Sequence, residues 1–330
     1  METIDFVVTW VDGNDPAWRA QRSKFLPDQT NSGNTENRYR DWELMRYWFR
    51  GVEKFAPWVH KVYFITCGQT PDWLNLAHPK LVHVKHEDYI PAELLPTFNS
   101  VVIENHLHRL PELSEQFVLF NDDIFLTGPV TKDDFFRKGK PCEAALLGLL
   151  SSTDPDDIFP FSLLNNAAII NKHFSKREVL RKNWKCFFAP VYGAQMIRNL
   201  LLLPFRNFSC FNDGHITSPY LKSTFTKVWE AEPDRLLLGS SGRMRSKDDV
   251  NHWLMKAWQI CEGNTVPRKP QMGKCFEIGR DEEAACAVMH QKYKVVCLND
   301  STVDIDFERE KHRFLAAFDG ILPDKSSFEL

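Results

Sequence analysis

The chain has 330 residues, with 41 Lys and Arg against 44 Asp and Glu for a net charge of −3, and 43% hydrophobic against 26% charged residues. That balance belongs to a folded globular chain and excludes both intrinsic disorder and a general electrostatic attraction to nucleic acid. Only 15 glycines stand against 25 phenylalanines and 10 tryptophans, which removes collagenous and low-complexity readings, and the length suits two domains or one large α/β unit.

Met1-Glu2-Thr3-Ile4-Asp5 carries two acids and runs straight into apolar residues, unlike a secretory signal, and no apolar run approaches the roughly 18 residues of a spanning helix. A cytoplasmic location is therefore expected, with peripheral contact to a membrane face allowed. Ile4 to Val11 reads as a strand that ends in the turn residues Asp12-Gly13-Asn14-Asp15-Pro16. Residues 26–37 read as a polar surface loop. Asp41 then opens a helix on Leu44, Tyr47, Trp48, Val52 and Phe55, closed by Pro57.

Strands follow at Val62 to Thr66 and Leu81 to Val84, then a helix from Ser100 to Leu110 and a strand from Phe117 to Phe120. This β-α-β rhythm predicts a mainly parallel sheet with helices on both faces. Such sheets bind ligands beyond the carboxyl ends of their strands, and Asp12, Thr66 with Gln69, and Asn121-Asp122-Asp123 all stand at such ends. Beyond residue 126 the chain turns irregular around Asp154-Pro155-Asp156-Asp157 and Phe159-Pro160, and longer helices follow. The clearest spans 247–261 on Val250, Trp253, Leu254, Ala257, Trp258 and Cys261. Ser246 and Asp249 resemble a capping box at its start, which puts Arg243 and Arg245 just ahead of an anion-favouring helix terminus. A last helix carries Phe307, Phe314, Leu315 and Phe318 before Pro323.

Each candidate motif has a plain reading beside the chemical one. Asn121-Asp122-Asp123 is either a turn or a pair of carboxylates that holds a hard divalent ion against a diphosphate. Thr9-Trp10-Val11-Asp12-Gly13 is either an edge turn with a core Trp or a cradle for a base and ribose. His215 is either structural or a general base, and Arg243 and Arg245 are either solvated charges or a phosphate clamp. The eight cysteines stand singly, without zinc spacing, and read as mostly buried, reduced packing residues. Neither a P-loop nor a G-x-G-x-x-G nor a G-x-S-x-G pattern occurs, which weakens ATPase, dehydrogenase and hydrolase readings.

With those residues in view, the sequence closely resembles the Stealth family of hexose-1-phosphate transferases, which includes bacterial capsule and exopolysaccharide phosphotransferases. Four blocks carry the resemblance. The first is Ile4 to Gly13. The second runs from Arg38 through Ala56-Pro57-Trp58-Val59, Thr66-Cys67-Gly68-Gln69, Leu95-Pro96-Thr97-Phe98-Asn99-Ser100, Ile103-Glu104 and His108-Arg109 to Asn121-Asp122-Asp123. The third holds His215 and then Arg245 ahead of Asp248-Asp249. The last is Val296-Cys297-Leu298-Asn299-Asp300 with Pro323 and Ser327-Phe328-Glu329. At Asp12 and Cys67 the chain departs from animal relatives, which carry Asn there.

The resemblance implies one GT-A-like, Rossmann-like catalytic domain over 1–330, with a nucleotide-sugar-binding part in 1–125 and a helix-rich part in 126–330 that completes the site. It implies transfer of sugar 1-phosphate from a UDP-hexose or UDP-N-acetylhexosamine to an acceptor hydroxyl with release of UMP. Asp122 and Asp123 would hold Mg²⁺ or Mn²⁺, Arg245 would clamp the phosphoryl group, and His215 would act as base with Glu104 as the alternate. Thr9, Trp10, Asp12, Gly13, Gln69, Asn99 and Ser100 would contact the nucleotide sugar, and a glycan or lipid-linked oligosaccharide would be the acceptor. The competing readings are an ordinary metal-dependent glycosyltransferase that releases UDP and a non-catalytic carbohydrate-binding protein.

Overall fold

The computed structural model describes residues 3–26, 33–152, 154, 156–300 and 304–330. Part of the loop expected at 26–37, and Pro155 of the irregular stretch, lie outside them. The central sheet contains β1 (Ile4–Thr9), β2 (Val62–Thr66), β3 (Leu81–Lys85) and β4 (Gln116–Phe120), all parallel in the order β4-β1-β2-β3. Alternation of side chains divides the core into two layers. Phe6, Val8, Val62, Phe64, Val118 and Phe120 face one layer, and Val7, Tyr63, Ile65, Phe117 and Leu119 face the other.

The short strand β5 (Ile124–Leu126) follows β4 but leaves its sheet. A fifth strand, β6 (Ser218–Leu221), is added antiparallel to β4 from the distant second part of the chain. β7 (Gly273–Ile278) and β8 (Val295–Asp300) run parallel, and β8 pairs antiparallel with β5. Asn121-Asp122-Asp123 therefore forms the seam between two sheets. It is a turn, with Ile124 N–H donating to the Asn121 carbonyl at 3.1 Å, but not a hairpin, because the chain changes sheets there.

The helices used below are α1 (Pro16–Ser23), α2 (Met45–Phe55), α3 (Ser100–Asn105), α4 (Phe159–His173), α5 (Lys176–Phe187), α6 (Met196–Leu201), α7 (Trp253–Glu262) and α8 (Phe307–Ile321). Several boundaries move from the sequence expectation. β1 stops at Thr9, and α2 begins at Met45 because the Asp41 carboxylate accepts from Glu43 N–H at 2.8 Å and locks a turn with Glu43 at φ 56°. α3 stops at Asn105, and a tight turn covers Leu107–Arg109. α7 begins at Trp253, whose N–H is met by the Asn251 side chain at 3.1 Å. Ser246 and Asp249 do bond to each other, but in a loop well ahead of the helix, so no helix terminus backs Arg245. Among the described residues no helix is long and apolar enough to cross a membrane.

Candidate active site

A cleft of about 220 Å³ opens beyond the carboxyl ends of β1 and β4. Trp10, Arg38, Ser100, Glu104, Asp122, Asp123, His215, Arg245 and Asp300 are among the residues that line it, so all four sequence blocks reach one cavity. Trp10 is both core and wall: its ring stacks on Phe64 at 5.7 Å between centroids.

Asp123 lies at the floor of the cleft. One carboxylate oxygen, Oδ2, faces His215 Nε2 at 3.7 Å and accepts from the Cys297 thiol at 3.4 Å, while Oδ1 is buried with no hydrogen-bond partner among the described residues. Burial pushes its pKa up, but His215, Cys297 and Arg38 outweigh that and hold it below the usual carboxylate range. Asp122 lines the cavity; desolvation within the cleft, and after it the adjacent Asp123 charge, push its carboxyl up to about 7. An inward oxygen without a donor beside a second, half-protonated carboxyl is a suitable seat for a hard divalent ion, which takes one or two carboxylates and completes its shell with phosphate oxygens. Asp123, His215 and Cys297 also bring one ligand atom each within 4.8 Å of one another, a donor set of softer character.

His215 sits at φ 45° in a turn where its N–H donates to Asp213 at 2.7 Å. Lys256 pairs with Asp213 from α7 and fixes that turn from behind. Burial alone would depress the imidazole, yet the hydrogen bond and charge of Asp123 carry it up to about 9. In the unliganded cleft His215 is thus a cation at neutral pH.

Glu104 projects from α3 and is only 2% exposed. It accepts from the Asn121 amide at 3.0 Å and lies 3.7 Å from His252 Nε2. Burial raises its pKa to about 7, against the pull of Arg245, Asn121 and His215. His252 is driven down to about 3 by burial and stays neutral. Asn99 caps α3 by accepting from Val101 N–H at 3.1 Å and donates to Asp249 at 3.2 Å, so it is a fully buried brace. Ser100 faces the cleft and receives the Arg245 guanidinium at 2.9 Å. Arg245 is held further by Asn34, whose amide meets its backbone N–H and carbonyl at 3.2 and 3.0 Å.

The first strand end has a different character. Gln69 accepts from Asp12 N–H at 3.0 Å and donates to the Asp12 carbonyl at 3.1 Å and the Asp15 carboxylate at 2.8 Å, while Asp15 caps α1. Gly13 is buried where a Cβ would meet the Tyr39 carbonyl at 1.8 Å, a close approach only glycine permits. Of the residues expected to contact the nucleotide sugar, Trp10 and Ser100 line the cavity, while Thr9, Asp12, Gly13, Gln69 and Asn99 are not among its lining residues.

Sequence reasoning overlooked Arg40, Trp42 and His252 and left Arg38 and Asp300 without a role. Arg40 lies 3.8 Å from the Asp300 carboxylate, and Trp42 donates to it at 3.3 Å. The legible signal was Arg38-Tyr39-Arg40, two cations spaced by one aromatic after a polar loop. Cys297 is not mere packing, since its thiol touches Asp123 and lies 3.4 Å from the Cys275 sulfur on the next strand.

The region Stealth protein CR1, conserved region 1, matches residues 2–29, and Stealth protein CR2, conserved region 2, matches residues 38–143. A capsular polysaccharide phosphotransferase WcwK of Streptococcus pneumoniae is 44% identical over all of this chain and 98% of its own length. The chain belongs to the Stealth family. Other relatives include the receptor polysaccharide phosphotransferase WefC of Streptococcus oralis, 41% identical with both chains fully covered. The exopolysaccharide phosphotransferase cps2G of Lactiplantibacillus plantarum is 37% identical over 99% of this chain and 96% of its own. Among solved structures, the glycosyltransferase GlyE of Streptococcus pneumoniae aligns over 98% of this chain and 63% of its own at a TM-score of 0.39 and 11% identity, a likeness too slight to bear on function.

Proposed function

We propose that this Stealth chain transfers sugar 1-phosphate from a UDP-hexose or UDP-N-acetylhexosamine to a glycan hydroxyl, releasing UMP and leaving a phosphodiester, in the synthesis of a capsule or exopolysaccharide. The observation that carries it is the meeting of two carboxylates, Asp122 and Asp123, with Arg245, Arg38 and His215 in one cleft. Phosphoryl transfer asks for that mixture, because little covalent chemistry falls to the protein and positioning with charge stabilisation does most of the catalysis.

In this reading Asp122 and Asp123 hold Mg²⁺ or Mn²⁺, which supplies neutralisation of the diphosphate oxygens when bound. Arg245, steadied by Ser100 and Asn34, holds the transferring phosphoryl group. The acceptor oxygen bonds to the sugar-linked phosphorus as the bond from that phosphorus to the bridging oxygen breaks, and UMP leaves with the electron pair. The anomeric C–O bond stays intact. His215, in the fraction that has lost its own proton, is the base that takes the acceptor proton, because its ring faces the cleft while the Glu104 carboxyl is almost wholly enclosed. Glu104 remains the alternate base and otherwise orients Asn121 beside the metal-holding pair.

The deciding experiment incubates purified protein with UDP-sugars, Mn²⁺ or Mg²⁺ and an oligosaccharide acceptor. Release of UMP with a phosphodiester ³¹P resonance in the product supports the reading. Release of UDP with a phosphorus-free product would establish ordinary glycosyl transfer instead.

A further inference from the structure

Large apolar side chains lie open to solvent along one short stretch of the chain. Trp184, Ile197, Leu200, Leu201, Leu203 and Phe205 are 55, 56, 50, 70, 43 and 56% exposed. They cluster on the end of α5, on α6 and on the loop that follows. This is a built surface. From beneath, the fully buried Asn199 side chain donates to the Ala145 and Phe187 carbonyls at 2.9 and 2.6 Å and accepts from Leu147 N–H at 2.7 Å. The buried Lys176 ammonium donates to the Leu202 and Phe205 carbonyls at 2.6 and 2.9 Å. A cavity of about 300 Å³ lies under the same loop, between Leu149, Leu202, Phe205 and Phe208.

The charge along this stretch is almost all of one sign. Residues 172–206 hold eight Lys or Arg and a single acid, Glu178, in a chain whose net charge is −3. Arg177, Arg181, Lys182, Lys185, Arg198 and Arg206 are exposed and make no ion pair among the described residues. Exposed apolar side chains interleaved along the chain with cations that make no ion pair among the described residues match the interfacial layer of an anionic bilayer, where apolar groups enter the headgroup boundary and cations meet lipid phosphates. A second copy of the chain fits poorly, because a two-fold interface would set these cations face to face.

We propose that α5, α6 and the 202–206 loop form a docking surface for an anionic phospholipid membrane, with Ile197, Leu200 and Leu201 as the inserted residues. The surface stands at the far end of α4, whose first turn carries the cleft residues Phe159 and Ser162. Its 15 residues span about 22 Å, so the cleft and the docking surface stand roughly one helix length apart along α4.

Co-sedimentation of the full chain with phosphatidylcholine vesicles containing about a third phosphatidylglycerol tests this without any substrate, apart from the transfer reaction. The wild type should pellet with these vesicles, not with phosphatidylcholine alone, and should be partly released by salt. Ile197→Asp/Leu201→Asp should reduce the bound fraction by about tenfold or more with an unchanged melting curve. Arg181→Glu/Lys182→Glu, which leaves the apolar tip intact, should reduce it several-fold. Binding of both variants like the wild type overturns the proposal. So does wild-type indifference to vesicles, or a dimer in solution that Leu201→Asp dissolves.

Discussion

At the end of β1 the polar side chains are tied to one another and to the backbone beside them. Gln69 is spent on Asp12 and Asp15, Asp15 on the start of α1, and Gly13 on a close approach to Tyr39. At the end of β4, on the same edge of the same sheet, Asp123 keeps a buried oxygen without a donor among the described residues, Asp122 and Glu104 rise to about 7, and His215 is held up at about 9. A polar cluster that satisfies itself is scaffold. One that stays charged and incomplete costs stability and is kept for a ligand.

The sharpest way to break that contrast is Asp123→Asn, which keeps the shape and removes the charge. Turnover should fall by about 10²–10³-fold or more, with the fold intact by circular dichroism. Arg245→Ala should lower kcat by about 10²–10³-fold, and Arg245→Lys should restore little, because Lys lacks the planar fork that reaches Ser100. Measured as UMP release, a loss under tenfold in either variant would remove that residue from the site. The choice of base is sharpened by pH. A base must be deprotonated, so with His215 in that role kcat/KM of the free enzyme keeps rising past pH 7 toward about 9, whereas with Glu104 it levels near 7.

Glu104 also makes a stability prediction. Its folded pKa of about 7 lies above the ordinary 4.5, so the folded state binds the proton more tightly. That contribution is full below pH 4.5 and is lost as pH rises through 7. Glu104→Gln should therefore gain on the wild type between pH 5 and pH 8, by at most about 3 kcal/mol in urea denaturation. The smallest effect belongs to the other strand end. Gln69→Ala should cost about 1–3 kcal/mol of stability and leave kcat nearly unchanged.

The sheet was legible because β1, β2 and β4 are apolar runs bounded by turn residues, and the convergence at their carboxyl ends follows from parallel topology alone. Local pattern misled at Ser246 and Asp249, which look like a helix cap but answer to Asn99 and a loop, 150 residues away in the chain. β7 and β8 escaped because short apolar runs do not say which strand they will join, and pairing with β5 is a tertiary decision. Arg40 and Cys297 carry no periodic signal. Their meaning arises only when β8 brings Asp300 beside Arg40 and a thiol beside Asp123.

The seam between the two sheets also sets a clock. Asp123 and Cys297 are 174 residues apart, and the Asp123 carbonyl accepts from Leu298 N–H at 2.8 Å. At roughly 5–20 residues per second, ribosomal synthesis leaves the metal-holding carboxylates without their floor for on the order of 10–30 s. A nascent chain can assemble its parallel sheet in that interval, yet the cleft closes only when β8 emerges. A truncation just ahead of β8 removes Val295 to Leu298 and the α8 residues Phe314 and Phe318 from the core layer of Phe6 and Phe120, so it should lose the working centre and much of its stability together.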